Sequence, residues 1–95
     1  MTHTINRFQH SYQIGLSAFI FEIEQWKPED GDGFKSILSL GLTRFGMTAS
    51  ALSVRLNHSK GAISRWMNSS AMPSQAVREI TVAWILSEAK AQLYT

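Results

Sequence analysis

The tripeptide Asn57-His58-Ser59 leaves almost no room between two helical segments. The first runs from about Ala49 to Leu56 and opens on Thr48. The second runs from about Lys60 to Asn68 and opens on Ser59. Thr and Ser cap helix N-termini because the side-chain oxygen accepts from an early backbone N–H. A link this short joins two helices at a steep angle. The turn needs a residue that tolerates the left-handed conformation, and Asn57 is among the few alternatives to glycine. A small residue is needed where the second helix crosses the first, and Ser53 provides it. Ile63 and Trp66, three apart, are expected to pin the second helix against Leu52 and Leu56.

The rest of the chain reads as helix too. Phe8, Tyr12, Leu16, Phe19, Ile23 and Trp26 recur at steps of three and four, broadened by Ile14, Ala18 and Phe21. That stripe predicts a helix from about Phe8 to Trp26, too apolar to stand free. Lys27-Pro28 stops it, since the residue before proline is pushed out of the helical region. Asp-Gly-Asp-Gly follows, like a fragment of a calcium loop, but the other ligand positions are absent. A flexible turn with Asp32 as helix N-cap is the expectation. The next helix spans about Gly33 to Phe45, with Phe34, Ile37, Leu38, Leu42 and Phe45 inward and Gly46 as its C′ glycine. Pro73-Ser74 opens the last, from about Gln75 to Leu93. No segment alternates like a strand. The expected class is all-α, a five-helix domain. Residues 1–32 would form an N-terminal helix and loop, for dimerisation or packing, and residues 33–95 the functional domain.

The net charge of +2 hides a segregation. From Gly33 to Arg78 there are six basic residues, Lys35, Arg44, Arg55, Lys60, Arg65 and Arg78, and no Asp or Glu. Residues 1–32 have a balance of −3 and residues 79–95 a balance of −1. A basic, acid-free segment is the footprint of a polyanion binder. With no cysteine there is neither a disulfide framework nor a thiolate zinc site. His3, His10 and His58 lack ligand spacing, so no metal or other cofactor is expected. No nucleophile–base pair or convergent carboxylates stand out, which argues against an enzyme. No run approaches the ~18 apolar residues of a membrane span. Arg7 is followed by a mixed stretch, unlike a signal peptide. The expected location is the cytoplasm, on the nucleoid.

Phe45-Gly46-Met47-Thr48, Leu52-Ser53, Ser59, Ile63-Ser64, Arg65-Trp66 and Pro73-Ser74 together resemble the helix-turn-helix of the lambda-repressor-like superfamily, the Cro-and-repressor or XRE type. The resemblance covers about residues 34 to 86, so the first helix is an addition to it. This chain departs from the family pattern in four places. Ala49 stands where a polar residue usually contacts DNA. Asn57 replaces the turn glycine, and His58 an apolar turn residue. Leu42 and Met67 occupy the positions of an Arg–Glu pair, so both partners are apolar here. Losing one partner would strand a charge, whereas losing both can be neutral.

The resemblance implies a DNA-binding transcriptional regulator, expected to be a bacterial or phage repressor acting as a homodimer on an inverted repeat. A helix fits the major groove, and its N-terminal side chains reach base edges. By position, the base contacts would be Lys60, Gly61, Ala62, Ser64 and Arg65. Phosphate contacts would be Thr48, Ser50, Arg55, Ser59, Asn68 and Ser69. Gly61 and Ala62 allow close approach, and the Ala62 methyl suits a thymine methyl. Trp66 is expected in the core, and His58 in the turn or on a phosphate. The dimer interface is expected on the first helix, at Leu16, Phe19, Ile20, Ile23 and Trp26. The last helix is the second choice, through Val82, Trp84, Ile85, Leu86 and Leu93. The partners are then double-stranded DNA and a second copy, with no membrane. The alternatives are an antitoxin, which would cover a toxin or other protein, and an interaction adaptor on the same fold.

Overall fold

The computed structural model describes residues 7–94, with side chains from His10 onward. His3 and the side chain of Phe8 lie outside the described residues. Five helices follow one another: α1 (Arg7–Gln25), α2 (Gly31–Thr43), α3 (Ala49–Leu56), α4 (Lys60–Asn68) and α5 (Gln75–Leu93). Among the described residues there is no strand. No described helix is long and apolar enough to cross a membrane.

Each helix after α1 starts on a side-chain cap. Thr48 accepts from Ala51 N, Ser59 from Ala62 N and Ser74 from Val77 N. α2 begins earlier than the periodicity suggests, and its N-cap is Asp30, not Asp32. The Asp30 carboxylate accepts from Gly33 N at 2.9 Å. A turn from Lys27 O to Asp30 N sets that position, and the Trp26 indole N–H, donating to Asp30 O at 2.9 Å, locks it. Asp32 falls in the first turn of α2, where its charge suits the positive end of the helix. α2 also ends earlier, at Thr43. Gly46 takes the left-handed φ of 74° expected of it, but one position beyond C′, because Arg44 is the C-cap.

One apolar core joins all five helices. α1 packs mainly on α5, and α2 on α5 and α4. This removes the expected dimer residues of the first helix from any free surface. Leu16, Phe19, Ile20 and Ile23 are all buried within the single chain, and Trp26 is half-buried. The Phe19 ring stacks on Phe45, with centroids 4.6 Å apart. The stripe holds at Leu16, Phe19 and Ile23, whose partners are this chain's own α5 and Phe45, while Tyr12, Ile14, Ala18 and Phe21, expected with it, are exposed. The division at residue 32 therefore does not separate two cores. On α5, Val82 and Ile85 are buried, while Trp84, Leu86 and Leu93 pack half-buried at the margin.

Candidate nucleic-acid interface

α3 and α4 are short because capping residues bound both. Asn57 ends α3 at φ 56° and ψ 41°, the only left-handed non-glycine among the described residues. Its N–H donates to Ser53 O, and the Ser53 hydroxyl donates to the His58 carbonyl, so the small residue also ties the turn. Leu52 and Ile63 are fully buried, with Leu56 packed at the edge. Trp66 is core, with Phe34 edge-on at 6.4 Å and His58 edge-on at 5.2 Å. His58 thus shields the indole from the turn side. No group of three potential metal ligands occurs among the described residues.

With Ile63 and Trp66 inward, the 3.6-residue period turns Gly61, Ser64, Arg65 and Asn68 outward. All four are exposed, and Lys60 is exposed beside them in the first turn. The Arg65 guanidinium reaches back along α4, since a Cβ on Gly61 would lie 3.5 Å from it. That follows the tilt of helical side chains toward the N-terminus. Ser64 accepts from the Asn68 amide at 3.3 Å. Ser50 is exposed on the first turn of α3. The Thr48 and Ser59 oxygens accept as caps, which leaves each hydroxyl proton able to donate.

Two expected contacts, Ala62 and Ser69, read differently in the structure, and Arg55 has a neighbour on α5. Ala62 is half-buried and packs on the core, so its methyl belongs largely to the α4 packing face. The Ser69 hydroxyl donates to Arg65 O at 2.7 Å and accepts from Ala71 N at 3.2 Å. It closes the end of α4 and has no proton left for a phosphate. Arg55 is exposed on the last turn of α3 but lies in a shallow groove with Ile80, Ala83, Trp84 and Ser87 of α5.

The basic residues divide. Lys35 spans from α2 to the end of α4, where its ammonium donates to Trp66 O and Ser69 O at 2.5 Å and to Ala71 O at 3.1 Å. Arg78 donates from Nε to Pro28 O at 3.0 Å and from Nη1 to Pro73 O at 2.7 Å. Both satisfy internal carbonyls and leave the outward charge. Lys60, Arg65, Arg55 and Arg44 remain exposed. The only ion pair among the described residues is Lys90–Glu24, on other helices. Sequence reasoning missed the Lys35 role, because its acceptors come together only in the fold. Leu42 and Met67 are half-buried at the edge of the core. The hydrogen-bonded tie from α2 to the end of α4 is Lys35.

The arrangement presents one short helix with small and basic residues outward, its N-terminus directly after the turn and the N-terminus of α3 at the far end of the preceding helix. No protein-family model, curated protein or solved structure matches the chain.

Proposed function

We propose that the chain is a sequence-specific double-stranded DNA-binding regulator, a repressor of the lambda-repressor-like helix-turn-helix type that acts as a homodimer on an inverted-repeat operator. The observation that carries this reading is the outer face of α4. Gly61, Ser64, Arg65 and Asn68 share it, Lys60 flanks it, and the core holds the opposite side. Arg65 donates as a fork to guanine O6 and N7, and Gly61 beneath it lets the helix approach the groove closely. Thr48, Ser50 and Ser59 donate to phosphates beside the N-termini of α3 and α4, where the helix dipoles favour an anion.

Homodimerisation moves to another face. Ala76, Ile80, Ala83, Ser87 and Ala91 on α5 are all exposed, and none is charged. Spaced at three and four, they form an outward stripe that a second copy can cover. A protein-binding role is the second reading. It is favoured by Ile14 and Phe21, which are 58% and 61% exposed on the outer side of α1.

Selection of bound duplexes from a random pool tests the first reading. An enriched inverted repeat with half-sites about one helical turn apart is expected. Binding that shows neither enrichment nor salt dependence would support the adaptor instead.

A further inference from the structure

A groove of about 480 Å³ lies between α1 and the end of α2, with none of its lining residues on α3 or α4. That volume is within the range of about 300–1,000 Å³ typical of small-molecule sites. Its floor is apolar, made by Phe19, Phe45 and Leu40. Gly15, in the middle of α1, forms part of the wall. A glycine in a helix interior is less favourable than an alanine. A Cβ at that point would touch the Phe45 ring at 3.9 Å, so any larger side chain there would extend into the groove over the ring edge that lines it.

The ends of the groove carry opposite charges. Arg44 is exposed, and no described residue pairs with its guanidinium. Glu22 also has no cation partner among the described residues, and it lines the adjoining groove toward Trp26 as well. It therefore marks the end away from Arg44. We propose that the groove binds a small aromatic carboxylate bearing a hydrogen-bond donor at the far end of the ring. The guanidinium fork takes the carboxylate, the phenyl floor takes the ring, and Glu22 accepts from the donor.

Such a ligand sits on Phe45, three residues before the Thr48 cap of α3. Phe45 O accepts from the Gln92 amide at 2.7 Å, and Met47 N donates to Gly41 O at 3.1 Å. These bonds hold the link that runs from Phe45 into the Thr48 cap, so a ligand on Phe45 meets the segment that leads into α3. Resting on the DNA-binding reading, we infer that the acid modulates operator affinity.

Amide NMR of the full chain, titrated with 4-hydroxyphenylacetate, tests the site. Saturable shifts at Gly15, Phe45 and Gly46 are expected. Arg44→Gln, an exposed change that spares the core, should weaken binding by about tenfold or more. Tyramine, which replaces the carboxylate by an ammonium, should bind as weakly. Gly15→Leu should abolish binding by filling the groove. No saturable shift, equal binding of tyramine, or an unchanged Arg44→Gln would overturn the site. Measured separately, saturating acid should change operator affinity by about fivefold or more. Shifts without that change overturn the regulatory role alone. A chain that binds the acid and no DNA overturns the DNA reading and leaves the site standing.

Discussion

At the residue scale, the same residue type serves two ends. Lys35 and Lys60 look alike in the acid-free segment, yet Lys35 is spent on three carbonyls at the end of α4. Replacing it by methionine keeps the stem but leaves those carbonyls without their donor. Lys35→Met should lower stability by about 1–3 kcal/mol in urea denaturation. It should also loosen the last turn of α4, seen as faster amide exchange at Ser69 and Ala71. Asn57 is the other residue whose backbone decides its identity. Asn57→Ala should cost about 1–2 kcal/mol, because a Cβ without a compensating polar side chain is strained in the left-handed region. Asn57→Gly should be tolerated, which the same denaturation series reads. Asn57 was legible in the sequence because a tight turn between two helices allows few residues. Lys35 and Arg78 were not, because their acceptors are brought together from Pro28, Trp66, Ser69, Ala71 and Pro73 only by folding.

At the element scale, boundaries followed the local chemistry. α3 and α4 start and stop where Thr48, Asn57, Ser59 and Ser69 place them, and each of those signals lies within the element or next to it. α2 was displaced because Asp30 and Asp32 are equally good caps in a sequence, and the Trp26 indole, four residues back, decides between them only once the Lys27–Asp30 turn has formed. For α1 the apolar period identified the inward face but not what it faces. Burial within the chain makes that face core. Phe19→Ala should therefore cost about 3–5 kcal/mol in thermal or chemical unfolding. Phe21→Ser, two residues on and exposed, should stay within about 0.5 kcal/mol. Equal, small effects would return α1 to the role of a detachable arm.

At the scale of the whole molecule, the charge that matters is what remains after folding. Two of the six basic residues in the acid-free segment turn inward, and Lys60, Arg65, Arg55 and Arg44 stay exposed. Ile80→Glu should split the proposed dimer without unfolding it, since Ile80 is 48% exposed. Sedimentation would show the smaller species, and circular dichroism an unchanged helix content. Operator affinity should fall with it, because in the proposed dimer each monomer reads only one half-site. Arg55 lies beside that same α5 face, so its contact is expected to be with phosphate near the centre of the operator. Arg55→Ala should weaken all sequences alike and lower the salt slope by about 1.

The outer face of α4 is proposed to read bases, and Arg65 concentrates that role. Affinities of the wild type and Arg65→Ala should be measured on the selected operator and on duplexes changed at one base pair per half-site. The expected loss on the selected operator is about 1–3 kcal/mol, with relaxed discrimination at a single position in each half-site. An Arg65→Ala chain that binds the selected operator as tightly as wild type, and still rejects every substituted duplex, would contradict the account.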